Sequence, residues 1–224
     1  MISVRSWSYP VLQVALDVTS LDKAIGLADA SWNVGAKWLE AGTPLIKSVG
    51  VVAVRELSKS FPDAVVVADM KCMDAGYIEA VLAGSAGAGV VTVLGVADDN
   101  TISEVVRGAK SFDLKVMVDL INVSDPVKRA IQAEELGAGM VCFHTGIDVQ
   151  HALKISAFED LISYIREACD VLKLPVAVAG GITVDKVDSF LDVGVDIIIV
   201  GSAITKAADP RAAARAFVER IEGH

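Results

Sequence analysis

Short apolar segments alternate with amphipathic segments along nearly the whole chain. The apolar segments are rich in aliphatic residues, which is typical of strands buried on both faces of a sheet. We predict strands at Val11–Leu16, Trp38–Ala41, Ala64–Met70, Gly89–Leu94, Lys115–Ile121, Met140–His144, Pro175–Ala179 and Ile197–Val200. The intervening segments repeat apolar residues with the period of a helix. We predict helices at Leu21–Val34, Val49–Ser60, Gly76–Ala86, Thr101–Ser111, Pro126–Leu136, Phe158–Leu172, Val184–Val193 and Pro210–Ile221.

Local signals at the segment ends agree with this pattern. Asp125 precedes Pro126, and Asp209 precedes Pro210. A capping acid followed by proline is a common way for a helix to begin. Gly137 follows a predicted helix, where glycine often ends the helical conformation.

Alternating strands and helices of this number predict an α/β protein with a (β/α)8 TIM barrel fold, a single domain over residues 1–224. The alternative is a doubly wound open sheet, which usually has fewer strands and a glycine-rich first turn. Residues 16–20, which form the first turn here, contain no glycine. The barrel is therefore favoured.

Composition narrows the possible partners and the compartment. The chain is 53% hydrophobic but only 5% aromatic, and this aliphatic surplus leaves apolar surface for an oligomer interface. A net charge of −9 argues against nucleic acid and anionic membranes as partners. No apolar run is long enough to span a bilayer, and no signal peptide is recognisable. Three cysteines without metal-type spacing predict reduced thiols and a cytoplasmic location.

An Asp-x-Lys-x-x-Asp motif, formed by Asp69, Lys71 and Asp74, ends the third predicted strand. By itself it is equally consistent with a solvated loop that holds a chance ion pair. Other strands also end in polar residues or glycines, namely Asp17, Glu40, Asp119, Asn122, His144, Gly180, Gly181, Gly201 and Ser202. In a parallel barrel these ends meet at one mouth, where such folds keep their chemistry.

Three kinds of chemistry are predicted at this mouth. Glu40 and Asp69 are hard oxygen ligands that suit Mg²⁺, which completes its shell with water and substrate, whereas zinc lacks a His or Cys cluster. Lys71 lies two residues after Asp69, so both side chains are expected on the same side of the strand, with the lysine placed to stabilise an oxyanion. Histidine exchanges protons near neutral pH, which makes His144 the candidate base, whereas His151 is expected to face solvent.

Two glycine-containing turns follow the last two strands. Gly180 with Gly181, and Gly201 with Ser202, let backbone amides approach an anion, and barrels often bind phosphate at this pair of loops. The alternative is that these glycines only permit tight turns. Their occurrence on adjacent strands favours a phosphate site.

Taken together, these residues resemble the orotidine monophosphate decarboxylase superfamily, whose hallmark is the Asp-x-Lys-x-x-Asp motif after strand three. The resemblance covers essentially the whole chain. Within the superfamily the motifs are most similar to the 3-hexulose-6-phosphate synthase family, and the supporting stretches are residues 12–17, 40–46, 69–76, 91–98 and 144–148.

This resemblance implies a reversible Mg²⁺-dependent aldol condensation of formaldehyde with D-ribulose 5-phosphate, a phosphorylated sugar, to give D-arabino-3-hexulose 6-phosphate. Mg²⁺, for which Mn²⁺ could substitute, would be bound by Glu40 and Asp69 and would stabilise an enediolate. His144 would remove the C1 proton. Lys71, held by Asp69 and Asp74, would add positive charge.

The resemblance also implies substrate contacts and an assembly. Asp17 and Asp119 would bind the sugar, and the glycine-containing turns would bind its phosphate. The second Asp of the motif is donated across a dimer interface in this superfamily. We therefore expect a homodimer with shared active sites, in which Asp74 serves the site of the partner subunit.

Three alternatives remain. 3-Keto-L-gulonate-6-phosphate decarboxylases share the Mg²⁺ site but typically have arginine at the position of Ile147, glutamate at Asp119, threonine at Ala179 and Gly-Arg where this chain has Gly201 and Ser202. Orotidine monophosphate decarboxylase itself is metal-independent, and as an interpretation of this chain it ranks third, after the synthase and the 3-keto-L-gulonate-6-phosphate decarboxylase. A non-catalytic sugar-phosphate-binding barrel would be expected to lack key mouth residues, all of which are present here.

Overall fold

Eight parallel strands form a closed barrel in the computed structural model, which describes residues 10–146, 148 and 156–224. Each strand pairs with the next along the chain, and β8 pairs with β1 to close the barrel. The strands are β1 Val11–Leu16, β2 Trp38–Ala41, β3 Val65–Cys72, β4 Val90–Leu94, β5 Lys115–Asp119, β6 Met140–His144, β7 Val176–Ala179 and β8 Ile197–Val200. The predicted (β/α)8 fold is confirmed, and the open sheet is excluded.

Helices surround the barrel and connect successive strands. They are α1 Leu21–Trp32, α2 Thr43–Val49, α3 Val52–Ser60, α4 Gly76–Ser85, α5 Asp99–Ala109, α6 Pro126–Glu135, α7 Ser156–Val171, α8 Val187–Leu191, α9 Ser202–Thr205 and α10 Pro210–Glu222. The side chains of Asp125 and Asp209 accept hydrogen bonds from backbone amides in the first turns of α6 and α10, as their positions predicted. In the part of the chain that the structure describes, no helix is long and apolar enough to cross a membrane.

Two departures from the predicted elements bear on the site. The helix predicted over Val49–Ser60 begins only at Val52, as α3, whereas α2 over Thr43–Val49 was not predicted; Gly50, with a φ of +72°, separates the two helices. Strand β3 extends to Cys72 instead of ending at Met70, and its register with β4 shifts between Ala68 and Cys72. This bulge places Asp69 and Lys71 in the barrel mouth.

The strands have two sets of buried side chains, as expected for a barrel with an outer layer of helices. Residues such as Val14, Leu39 and Val66 pack outward against the helices. A second, separate cluster includes Trp38, Met117 and other alternate residues of the strands, and it fills the interior. Beyond this apolar cluster, towards the C-terminal ends of the strands, several inward-facing side chains are polar.

Candidate active site

The polar residues form the wall of a pocket at the C-terminal ends of the strands, with a volume of about 380 Å³. On several strands the inward-facing row of side chains is apolar at depth and polar at its last position, as in Trp38 followed by Glu40 or Met117 followed by Asp119. The pocket brings together nearly all of the predicted site residues, namely Asp17, Glu40, Asp69, Lys71, Asp119, His144, Gly180, Gly181, Gly201 and Ser202.

Asp69 is the most highly bonded carboxylate of the pocket. Its Oδ2 accepts hydrogen bonds from the hydroxyl of Thr43 at 2.6 Å and from Lys71 Nζ at 2.8 Å. Its Oδ1 accepts from the hydroxyl of Thr92 at 2.9 Å and again from Lys71 Nζ, at 2.9 Å. The side chain is only 5% exposed, so these contacts replace the water that a buried carboxylate needs.

Lys71 reaches Asp69 because of the bulge in β3. Its φ is +48°, a left-handed conformation that is rare for a residue with a side chain, and its amide donates to the Thr92 hydroxyl at 2.9 Å. Simple strand alternation correctly predicted that the two side chains meet, but the geometry that brings them together is irregular. Burial disfavours the charged lysine, yet Asp69 and Asp119 outweigh it and raise the pKa of Lys71 well above its usual range.

Asp119 links the lysine to the histidine. Its Oδ2 lies 3.1 Å from Lys71 Nζ and 2.9 Å from His144 Nδ1, and its Oδ1 accepts from the backbone amide of Ile121 at 3.0 Å. Burial would raise the pKa of Asp119, but the hydrogen bond and charge of His144, together with Lys71, hold it below its ordinary value. An ionised Asp119 accepts the proton on Nδ1 of His144, which leaves Nε2 of the ring available to a substrate.

Glu40 is buried among like charges. Burial, followed by the negative charges of Asp69 and Asp17, raises the pKa of Glu40 well above its usual range, whereas Lys71 and a hydrogen bond from Gln13 act in the opposite direction. Gln13 Nε2 donates to Glu40 Oε2 at 2.6 Å. Glu40 therefore meets a neutral amide rather than a counter-ion.

Asp17 lies between two close backbone segments. A Cβ atom at Gly42 would overlap Asp17 Oδ1, and one at Gly201 would lie 3.1 Å from Oδ2. These two glycines therefore make room for the Asp17 carboxylate. Desolvation within the mouth, and then repulsion from Asp69, raises the pKa of Asp17.

The glycine-containing turns stand at the side of the pocket formed by β7 and β8. Gly180 and Gly181 have φ values of +106° and +65°, so both positions favour glycine for conformational reasons. Ser202 begins α9, which is a single turn of helix, and Lys206 directly after it also lines the pocket. The turns therefore combine exposed backbone with a cationic side chain.

Asp74 lies outside the pocket. Its side chain is exposed and accepts a hydrogen bond from the amide of Ala75, whose own φ is +54°. Within one chain the second carboxylate on the Lys71 ammonium is Asp119, which the barrel brings in from β5, and not Asp74; the expectation that Asp74 serves the site of a partner subunit stays a prediction.

Polar pocket residues that the sequence reasoning missed include Gln13, Thr43, Thr92 and Lys206. The inward parity of each strand could have identified Gln13 and Thr92, because they lie two residues from other inward-facing positions. Ile147 and His151 lie outside the described residues. Asp148 is exposed.

The donor set suits a small divalent cation. Among the described residues that line the pocket, four are acids, and Lys71 and Lys206 are the lysines. The resulting crowding of carboxylates around Glu40 is what a bound cation would relieve, and hard oxygen donors are the ligands that Mg²⁺ prefers. No cage of three or more His, Cys, Asp or Glu side chains occurs in the described part of the chain, so water and substrate oxygens would have to complete the shell.

Comparison with known proteins agrees with this geometry. A family model described as orotidine 5'-phosphate decarboxylase / HUMPS family matches residues 10–217, a range that includes all eight strands. The chain belongs to this family. The superfamily resemblance that the motifs predicted is thereby confirmed.

Individual relatives and solved structures show which enzymes this chain is similar to. A 3-hexulose-6-phosphate synthase of Mycobacterium gastri is 40% identical over 204 residues, covering 91% of this chain and 96% of the relative. The crystal structure of 3-hexulose-6-phosphate synthase from Salmonella typhimurium has a TM-score of 0.88 at 40% identity, covering 96% of this chain and 99% of the other. KGPDC from Streptococcus mutans in complex with D-R5P has a TM-score of 0.89 at 31% identity, covering 96% and 98%. The backbones are thus equally similar, while sequence identity is higher to the synthases.

Proposed function

We propose that this protein is an aldehyde-lyase that condenses formaldehyde with D-ribulose 5-phosphate to D-arabino-3-hexulose 6-phosphate, reversibly and with Mg²⁺. The observation that carries the proposal is that a carboxylate-paired histidine, His144, shares one pocket with Glu40, Asp69 and Lys71. Relatives named 3-hexulose-6-phosphate synthase at 40% identity support the choice of reaction.

His144 is the base in this proposal. Asp119 holds Nδ1, and Nε2 takes a proton from C1 of the sugar, which leaves an enediolate across C1 and C2. C1 then forms a bond with the formaldehyde carbon, and as the C=O bond opens the formaldehyde oxygen takes up the proton that His144 removed, which restores the neutral base. Lys71, kept charged by Asp69 and Asp119, offsets the negative charge that develops on the sugar.

Glu40 and Asp69 would hold the metal. Mg²⁺ or Mn²⁺ bound there would supply Lewis-acid stabilisation of negative charge on the sugar oxygens. The Asp69 carboxylate already accepts hydrogen bonds from Lys71, Thr43 and Thr92. These three neighbours would hold it in position as a metal ligand.

The opposite side of the pocket would bind the rest of the sugar phosphate. Asp17 would accept hydrogen bonds from sugar hydroxyls. The turns at Gly180 and Gly201 would approach the phosphate with backbone amides. Lys206, which the sequence reasoning missed, would add the positive charge that an otherwise acidic pocket needs for an anionic group.

A homodimer with shared active sites is part of the proposal. Met73, Ile78 and Leu82, all near Asp74 at the start of α4 or on it, have exposed fractions of 53%, 57% and 46%. An apolar patch of this kind is suited to association. Burial of this patch against a second copy would bring Asp74, which its own chain does not use in the pocket, close to a neighbouring subunit.

The three cysteines support a proposed cytoplasmic location. Cys72 and Cys142 are buried free thiols and Cys169 is a partly buried one. Burial raises the pKa of the Cys142 thiol, which disfavours the nucleophilic thiolate form although the residue lines the pocket. Free thiols are typical of reducing compartments.

Formaldehyde consumption tests the proposed function. The protein is incubated with ribulose 5-phosphate, formaldehyde and Mg²⁺, and formaldehyde loss is followed with and without EDTA, beside His144→Ala as a catalytic control. We expect loss that requires Mg²⁺ and His144. Release of CO₂ from 3-keto-L-gulonate 6-phosphate without formaldehyde loss would instead identify the decarboxylase, and binding of the sugar phosphate without turnover would identify a non-catalytic barrel.

A further inference from the structure

Gln13 is a polar side chain in the apolar interior of the barrel. It lies on β1 beside Trp38 of β2 and Ile199 of β8, both of which belong to the interior apolar cluster. The residue is completely buried. Its Nε2 donates to Glu40 Oε2 at 2.6 Å, a short hydrogen bond that crosses from β1 to β2.

The other end of the Gln13 amide has no partner. Oε1 is buried and accepts no hydrogen bond from the residues that the structure describes. An unsatisfied buried acceptor destabilises the folded state, so an apolar residue would serve the core better. Glu40 is the one described residue that hydrogen bonds to the Gln13 side chain, so the Gln13 amide and the Glu40 carboxyl group are positioned against each other.

This one-sided hydrogen bond constrains Glu40. A glutamate side chain has three rotatable bonds. The hydrogen bond from Gln13, on the neighbouring strand, holds one of the two carboxylate oxygens of Glu40 in place. No hydrogen bond to the second oxygen, Oε1, is made by the described residues. Glu40 lines the pocket, so with Oε2 bonded to Gln13 it is Oε1 that remains for a ligand in the mouth.

We propose that Gln13 is a positioning residue that holds Glu40 Oε2 so that Oε1 is presented to a divalent cation. The inference rests on the proposed function, in which Glu40 is a ligand to Mg²⁺. Groups that orient metal ligands contribute about 10- to 100-fold to metal affinity, and Gln13 has the geometry of such a group. The unsatisfied Oε1 of Gln13 is then the structural consequence of keeping an amide where an aliphatic side chain would pack.

Mn²⁺ titration of the metal-free protein, followed by electron paramagnetic resonance without substrate, tests the proposal independently of turnover. Gln13→Met keeps the length of the side chain and removes the donor. We expect its Mn²⁺ dissociation constant to rise about 10- to 100-fold. Ser31→Ala is the matched control, because Ser31 is also a completely buried polar residue, but its hydroxyl donates within α1, to the carbonyl of Leu27. Its Mn²⁺ affinity should equal that of the wild type.

Three outcomes of the Mn²⁺ titration bear on the positioning role of Gln13. Wild-type Mn²⁺ affinity in Gln13→Met would overturn the positioning role and leave the proposed metal site intact. Absence of Mn²⁺ binding to the wild-type protein would overturn the metal site itself and the inference with it. If Gln13→Met does not fold, Gln13→Asn withdraws the same amide by one methylene and should show the same weakening, with unchanged affinity counting against the proposal.

A swapped pair separates position from simple pairing. The double variant Gln13→Glu with Glu40→Gln keeps an amide and a carboxylate in contact and keeps the net charge, but moves the carboxylate to β1. We expect its thermal stability to be close to that of the wild type and its Mn²⁺ binding to be weak. Wild-type Mn²⁺ affinity in the swapped protein would show that the location of the carboxylate is unimportant, contrary to the proposal.

Discussion

His144 Nδ1 lies 2.9 Å from Oδ2 of Asp119, and the same oxygen lies 3.1 Å from Lys71 Nζ. One buried carboxylate thus orients the proposed base and helps to keep the proposed electrostatic catalyst in place. The sequence-based interpretation assigned Asp119 to substrate binding. With both of its oxygens already hydrogen bonded, we expect it to act chiefly through His144 and Lys71.

Asp119→Asn should slow proton abstraction. An amide can present a donor instead of an acceptor to Nδ1, so the ring would lose its preferred tautomer and orientation. We expect kcat to fall about 100-fold or more, in the range that general base catalysis contributes. Exchange of the C1 hydrogens of ribulose 5-phosphate into D₂O, followed by NMR without formaldehyde, should fall equally. Asp125→Asn is the control, since asparagine caps α6 as well as aspartate does; unchanged exchange in Asp119→Asn would contradict the role.

Acid should remove the stabilisation that Asp119 provides. Its pKa in the folded protein is below the ordinary value of 3.8, so the unfolded chain takes up this proton at a higher pH than the folded one. The contribution is present above about pH 4 and is lost as the pH falls through the folded pKa. Urea unfolding at a series of pH values should show Asp119→Asn to be less stable than the wild type near neutrality, with the difference shrinking below pH 4. A difference that grows in acid would be inconsistent with the depressed pKa.

Asp74 should complement a defect in another subunit. If active sites are shared, Asp74→Asn and His144→Ala are each nearly inactive, but a mixed dimer contains one site with an intact Asp74 and an intact His144. Random reassociation of equal amounts should restore about a quarter of the wild-type activity, because half of the dimers are mixed and each has one good site. Sedimentation of the mixture is the check that dimers form. Mixing that restores nothing, although mixed dimers are present, would place Asp74 outside the site.

Lys206 should affect substrate affinity more than turnover. Lys206→Met removes a charged partner of the phosphate, and we expect KM for ribulose 5-phosphate to rise roughly tenfold with kcat within about twofold. The effect should weaken at high ionic strength, because the side chain is exposed and its charge is screened. Lys23→Met, an exposed lysine on α1, is the matched control. A fall in kcat with an unchanged KM would assign Lys206 a different role.

The sequence predicted the barrel and most of its mouth for a simple reason. Strands that are apolar throughout must be buried on both faces, and parallel strands in a closed barrel bring their C-terminal ends together. Glu40, Asp69 and His144 could therefore be assigned to one place from their positions at strand ends alone. Gln13 was overlooked because it lies in the middle of an apolar run, where only the inward parity of β1 distinguishes it.

The pairing of charges could not be predicted in the same way. Lys71 reaches Asp69 because Lys71 itself is left-handed within a bulge, where its amide donates to Thr92 of β4. Its ammonium pairs with Asp119 of β5 and not with Asp74, which is closer along the chain. These contacts depend on the register between strands, which hydrophobic periodicity does not encode. By itself the sequence determined the fold, the superfamily and which kinds of side chain reach the mouth. Only the tertiary structure decided which carboxylate faces which cation, because electrostatic partners are set by distance across the barrel and not by spacing along the chain.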